Sequence, residues 1–366
     1  MAKGKVLYIG GFELPDKNAA AQRVLSVGKA LREIGYKVFY LGITHDGVIN
    51  GEVEGMLYEN ISYPSSTWQW IKYSLGIKVL DTIKKHNPSI IILYNYPSFA
   101  QAKIIKYCRR NRIKIIGDIT EWYAPKGILR KTDTFLRMRY VNKQLDGIIA
   151  ISKYLYNFYH SQHTMYLPPL VDLEEPKWVG KEETDICNSI KLVYIGSPGK
   201  KDRLDYIIDA LEKVSSNRLV LEIIGITKEQ YMDLYGKKGV EDKRINFRGR
   251  LQHKDAIAIL KTADYQLFFR DNSRVNNAGF PTKFVESVSA GVAVVTNNIS
   301  NVSDYLINGV NGYMCDSFSI DCLVDVLNQI VLLPKEEIEL MKLNNKKISF
   351  DYRNFIKEID CFINKI

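Results

Sequence analysis

The sequence predicts an α/β protein built from two Rossmann-like, doubly wound domains with parallel sheets. Three observations carry that reading. Short apolar runs closed by glycine or polar loops alternate with stretches of helical period, first from Lys5 and again from Lys191. At 366 residues the chain is long enough for two separate cores. Between the two series lies an irregular, acidic stretch running from Pro168-Pro169 to Ser189. The boundaries that follow are a first domain over 1–170, a linker over 171–190 and a second domain over 191–349.

Composition narrows the functional classes. Apolar residues make up 46% and charged residues 25%, an ordinary globular balance. No apolar run reaches membrane-spanning length. Met1-Ala2-Lys3-Gly4-Lys5 leads straight into a strand without the apolar core of a signal peptide, so a cytoplasmic location is expected. Cys108, Cys187, Cys315, Cys322 and Cys361 are odd in number and scattered, which suits reduced thiols and neither disulfides nor zinc. The net charge of +10 is lopsided: residues 1–180 hold 25 Lys+Arg against 15 Asp+Glu, and residues 181–366 hold 26 of each. A basic first half implies an anionic partner, whether membrane lipid, a lipid pyrophosphate or nucleic acid. No basic groove with stacking aromatics is apparent, so nucleic acid is set aside.

In order, Lys5–Ile9 reads as a buried strand ending at Gly10-Gly11, Ala19–Ile34 as a helix stopped by Gly35, and Val38–Leu41 as the next strand. The dinucleotide fingerprint Gly-x-Gly-x-x-Gly is absent, and a tight turn accounts for the two glycines equally well. A helix is expected near 68–86, a strand over 90–94, a helix near 99–110 and a strand over 113–116. Gly117-Asp118-Ile119-Thr120-Glu121-Trp122-Tyr123 then falls at the C-terminal end of a strand, the edge where open α/β sheets bind ligands. Asp118 and Glu121, beside an aromatic pair, can orient an acceptor hydroxyl or take its proton. Helix capping and surface solvation explain them as well.

Residues 125–145 interleave Lys126, Arg130, Lys131, Arg137, Arg139 and Lys143 with Ile128, Leu129, Phe135, Leu136, Met138 and Val141. That spacing suits a membrane-surface segment or a solvated helix covering the core. Asp146–Ile151 is a further strand, with Ser152 as the N-cap of the helix after it. His160 and His163 are three residues apart without further ligands, and read as polar surface.

The second domain opens with the strand Lys191–Ile195 and the loop Gly196-Ser197-Pro198-Gly199-Lys200-Lys201-Asp202-Arg203. Strands follow at 219–224, 245–247 and 265–269. Arg270, directly after the last of these, can grip a phosphate with two N–H groups. The most informative stretch is Asn277-Ala278-Gly279-Phe280-Pro281-Thr282-Lys283-Phe284-Val285-Glu286, continuing to Gly291 and Val292–Thr296. It reads as a loop, a short helix with proline in its first turn, and a buried strand. The free amides of that first turn, with Lys283, favour a phosphate, and Glu286 one turn on can accept hydrogen bonds from sugar hydroxyls.

This stretch resembles the donor-binding signature of the retaining GT-B glycosyltransferases, above all glycosyltransferase family 4, the group 1 glycosyl transferases. In that family two glutamates eight positions apart flank a Gly-Phe-Gly-type turn and precede Ala-x-Gly-x-Pro-Val-Val. Here Glu286 is the second, followed by Ser289-Ala290-Gly291-Val292-Ala293-Val294-Val295, and Ala278 stands where the first belongs. The histidine that many members carry near the reacting centre is absent from the 117–123 loop, leaving Asp118 and Glu121.

The resemblance implies a GT-B fold, with two domains facing a cleft and a final helix, about 350–366, crossing back to the first domain. It implies donor contacts from Gly196, Ser197, Lys200, Lys201, Arg270, Thr282, Lys283 and Glu286, and a cleft loop for the acceptor with Gly10, Gly11 and Arg23. The catalytic groups it implies are Asp118, Glu121, Lys201 and Arg270. The implied reaction moves a hexosyl or related sugar from a UDP- or GDP-linked donor to a glycan or lipid-linked saccharide, with retention, in cell-surface polysaccharide biosynthesis. No metal or further cofactor is demanded, and Asp-x-Asp is absent. The location expected is the cytoplasm, with peripheral attachment to the inner face of the cytoplasmic membrane. A GT-B nucleotide-sugar epimerase and a non-catalytic sugar-nucleotide-binding subunit are the alternatives.

Overall fold

The structure is a computed structural model describing residues 3–15, 18–180, 189–199, 201–237 and 239–366. It divides into two compact units. One comprises Met1–Asp172, Ala278–Phe280 and Asp351–Ile366, and the other Leu173–Asn277 and Pro281–Phe350.

The first unit carries eight strands: β1 Gly4–Gly10, β2 Tyr36–Thr44, β3 Asn50–Val53, β4 Met56–Ser62, β5 Ile90–Tyr94, β6 Lys114–Ile119, β7 Gly147–Ala150 and β8 Thr164–Tyr166. Their order is β3-β4-β2-β1-β5-β6-β7-β8, parallel throughout except where β3 pairs antiparallel with β4. The second unit carries β9 Ile190–Ile195, β10 Leu219–Ile224, β11 Ile245–Gly249, β12 Tyr265–Phe268, β13 Ala293–Asn297 and β14 Gly312–Cys315. Its order is β11-β10-β9-β12-β13-β14, all parallel. Both sheets reverse direction of build beside their first strand, which is the doubly wound pattern. The sequence-predicted fold class is thus the observed one, and the central strands are apolar on both faces because helices cover both.

Local chemistry explains the helix boundaries. Ala19–Ile34 starts on the Asn18 side chain, which accepts from the Ala21 N–H, and ends at Gly35 in left-handed conformation, φ 106°. Thr282–Ala290 ends the same way at Gly291, φ 71°. Ser152 caps the helix Lys153–Phe158 by accepting from the Leu155 N–H.

Three regions differ from the sequence expectation. The helix expected near 68–86 is two helices, Thr67–Leu75 and Ile77–His86, broken at Gly76, φ 66°. The 125–145 segment is a helix over Ile128–Leu136, a π turn over Arg137–Val141 and a 3-10 turn over Asn142–Gln144. The β3–β4 hairpin has no sequence counterpart, because its edge residues are polar and partly exposed and so lack an apolar signal. The first residues of the expected linker are also fixed: Val171 bridges to Asp351, and Asp172 accepts from Lys29 and Arg353. Residues 181–188 and Lys200 lie outside the described residues.

The core of the first unit is completed by the end of the chain. Ile356–Asn364 lies against Ala19–Ile34 and contributes Ile359, Phe362 and Ile363 to the apolar cluster that contains Val6, Tyr8, Val24 and Tyr40.

Candidate donor site

In the second unit the order of strands changes direction between β9 and β12. Ligands of open α/β sheets bind beyond the carboxyl ends of the strands at such a point. The residues there are Gly196, directly after β9, and Arg270, two residues beyond β12. Thr282–Ala290 begins nearby, because Lys283 reaches back to the same loop: a Cβ on Gly196 would stand 2.6 Å from Lys283 Nζ. Gly196 therefore admits the lysine, and its φ of 145° also favours glycine.

The centre of the cluster is Asp202, a residue sequence reasoning did not single out. Its carboxylate accepts from Arg270 Nε at 2.6 Å, Lys283 Nζ at 2.6 Å and the Tyr194 hydroxyl at 3.0 Å. Its backbone carbonyl accepts from the Tyr235 hydroxyl at 2.9 Å. Burial alone would raise the Asp202 pKa, but Lys283 and Arg270 more than offset it and hold the carboxyl well below the usual range. Two cations against one anion leave the cluster with a net positive charge. Among the described residues the Arg270 side chain donates to Asp202 through Nε, and Lys283 spends a single N–H on Asp202, so both retain donors. Arg270 is itself set by two backbone bonds with the Asn297 amide, at 3.0 and 2.8 Å.

One turn along the helix, Glu286 is half-buried, and His253 Nε2 lies 3.2 Å from its Oε1. His253 opens the helix His253–Thr262 and was also not foreseen. Its only sequence signal is its place at a helix start. Of the other expected donor contacts, Ser197 and Lys201 are exposed and Thr282 is half-buried in the first turn of its helix.

The first unit corrects two expectations. Asp118 is fully buried: Arg23 donates to it through Nε at 2.9 Å and through a terminal nitrogen at 2.7 Å, and the Tyr8 hydroxyl donates at 2.5 Å. Arg23 spends its other terminal nitrogen on the Leu167 and Pro168 carbonyls. Neither residue faces an acceptor. They form a sealed ion pair tying β1, the Ala19–Ile34 helix, β6 and the 167–168 turn together, so Asp118 is not a base and Arg23 not a phosphate contact. Glu121 is different, being half-buried and within hydrogen-bonding reach of the Tyr123 hydroxyl. Gly10 is needed for packing, since a Cβ there would meet Tyr94 at 2.5 Å. Gly11 is exposed with open space at its Cβ position.

Ala278 is fully buried. Asn276 and Asn277, the nearest amides, are held by their own loop: Asn276 by Asp271, and Asn277 by Asn272 and the Ser273 carbonyl.

Residues 181–347 match the family model described as "Glycosyl transferases group 1". Among solved structures, the chain is similar to HepE of Anabaena in complex with UDP, at 14% identity and a TM-score of 0.74, covering 99% of this chain and 100% of that one. It is similar to sucrose-phosphate synthase of Thermosynechococcus elongatus, at 12% identity and a TM-score of 0.75, covering 99% of each. Starch synthase IV of Arabidopsis thaliana, bound to ADP and acarbose, gives 10% identity and a TM-score of 0.74, again over 99% of each chain. No curated relative matches. Residues 181–347 thus carry the match to the group 1 glycosyl transferases, and the whole chain shares the GT-B fold of these solved structures.

Proposed function

We propose that the protein transfers a hexosyl or related sugar from a nucleoside-diphosphate sugar to a hydroxyl of a glycan or lipid-linked saccharide, with retention at the anomeric carbon. The work belongs to cell-surface polysaccharide assembly at the inner face of the cytoplasmic membrane. The observation that carries the reading is the convergence of Gly196, Arg270, Lys283 and Glu286 at the switch point of the second sheet. When the bond from the anomeric carbon to the diphosphate oxygen breaks, negative charge grows on the departing diphosphate. Arg270, Lys283 and the first-turn amides from Thr282 onward meet that charge without rearranging, and Lys201 adds a cation from the loop. This requires electrostatic stabilisation of the leaving group more than a strong base. Glu286, steadied by His253, accepts hydrogen bonds from the ribose hydroxyls. In the first unit Glu121 takes the acceptor-side role that Asp118 does not have the exposure to fill.

HepE was solved with UDP-glucose, so uridine donors are the first to try. Glu286→Ala is expected to weaken UDP binding by about 1.5–3 kcal/mol, the worth of a hydrogen bond to a charged group. Calorimetry with UDP and UDP-glucose measures it, and unchanged affinity removes Glu286 from the site. Transfer with purified protein and a donor panel separates a transferase from an epimerase or a binding subunit.

A further inference from the structure

We propose that the outward faces of Thr67–Leu75 and Ile128–Leu136, in the first unit, form one docking surface for an anionic lipid bilayer. The proposal rests on the membrane part of the function above for its purpose. Its residues all lie outside the donor site.

The first helix is split by polarity in an unusual way. Trp70 and Tyr73, three apart, turn inward and join an aromatic chain, Tyr63–Trp70–Tyr73–Tyr96, with ring centroids 5.5, 6.0 and 5.6 Å apart. Trp68 and Ile71, also three apart, therefore point away from that chain, 74% and 43% exposed. A tryptophan so exposed, with a second half-exposed apolar side chain beside it, leaves apolar area facing solvent.

The second helix starts at Gly127, whose φ of 87° turns the chain sharply into the first helical residues. Those residues are Ile128 and Leu129, 82% and 87% exposed, at the tip. The next residue, Arg130, lays its guanidinium over the Trp70 ring at 5.4 Å and so ties the start of this helix to the first one.

Charge decides the occupant. Lys72, Lys126, Arg130 and Lys131 are exposed around these apolar tips. The sole acidic residue of the two helices is Asp133, and its carboxylate is taken by the N–H and hydroxyl of Ser98, at 2.9 and 2.6 Å. The face thus presents cations and apolar groups with no anion among them. A folded protein partner would have to set fixed anions opposite these long, flexible cations and match the apolar tips in shape. A fluid anionic surface needs only this mixture: lysine and arginine at the headgroups, and isoleucine, leucine and tryptophan below them. The excess charge of residues 1–180 adds long-range attraction. Arg137, expected on the same surface, is instead buried and donates to the Asn95 carbonyl.

The test is co-sedimentation of the full chain with vesicles of phosphatidylcholine alone and of phosphatidylcholine with phosphatidylglycerol. Binding to the anionic vesicles is expected, falling as salt rises, with little binding to the neutral ones. Changing Ile128→Ser and Leu129→Ser together is expected to lower the partition coefficient by about tenfold or more, because apolar burial scales with the methylenes inserted. Lys72→Ser with Lys131→Ser is expected to flatten the salt dependence. Trp68 emission is expected to shift to the blue on anionic vesicles and to be quenched by brominated lipid, and Trp68→Phe to remove that signal. No binding to anionic vesicles at low salt overturns the proposal, as does equal binding to neutral ones or a double-serine variant that binds like wild type. UDP binding, measured by calorimetry on the same preparations, is expected to be unchanged in every variant. Vesicle binding without UDP binding fails the donor reading alone, and the reverse fails this one alone.

Discussion

Each unit buries an aspartate against arginine and a tyrosine hydroxyl, yet the two clusters serve opposite ends. In the first unit Asp118 and Arg23 are closed off, their side chains 0% and 2% exposed, and Arg23 also spends donors on two backbone carbonyls. In the second unit Asp202 is nearly as buried, but its partners Arg270 and Lys283 remain 14% and 10% exposed and keep donors to spare. A saturated buried pair holds structure together, and an unsaturated one beside the ends of the strands can also hold a ligand. The lesson is that an aspartate–arginine pair in a Rossmann-like unit is read by what its cation has left to give.

That contrast can be broken experimentally. The largest effect is expected from Asp118→Ala, which leaves the Arg23 guanidinium buried without its counter-ion. Breaking such a pair costs about 3–5 kcal/mol, measurable as a lowered denaturation midpoint, with UDP affinity per folded molecule unchanged. Next is Lys283→Ala, where Asp202 keeps Arg270 and Tyr194. UDP affinity is expected to drop by about 1.5–3 kcal/mol while the denaturation midpoint moves less. Should Lys283→Ala instead destabilise the fold and spare UDP, the second cluster is as closed as the first.

The smallest effect in the accessible range is on acid stability. The Asp202 carboxyl lies below its ordinary value in the folded protein. Its stabilisation is therefore complete above the unfolded pKa of about 3.9 and is lost as pH falls from there toward the folded value. Asp202→Asn is expected to flatten the acid limb of the stability curve below about pH 4, leaving its slope near neutrality alone. Equal slopes for both proteins below that pH contradict the assignment.

Legibility in the sequence followed distance along the chain. The helix Ala19–Ile34 with Gly35, and Thr282–Ala290 with Gly291, could be read because caps and stops are local chemistry. The loop leading into Thr282–Ala290 could be read as a loop and helix start because glycine and proline fall together within a few residues. The clusters could not. Asp202 meets Arg270 and Lys283 across 68 and 81 positions, and Arg23 meets Asp118 across 95. Nothing in Lys200-Lys201-Asp202-Arg203 marks the aspartate as the organising residue, and nothing local shows that Asp118 is sealed while Glu121 is not. Gly76 deceived in the other direction, because helical period continues across it while the backbone does not.

The return of the chain to its first unit sets an order of events during synthesis. Ile359, Phe362 and Ile363 belong to the core of a unit whose other members lie almost wholly before residue 173. His163 is stacked on Phe362 at 4.6 Å and bonds its carbonyl, so the edge near β8 also waits for that helix. The unit made first is thus the one finished last, while the second unit, Leu173–Asn277 with Pro281–Phe350, can close its own core as it leaves the ribosome. A chain ended after Phe350 is expected to show a protease-resistant second unit beside a first unit that is cut readily. Equal resistance of both units would mean that the first closes without its last helix.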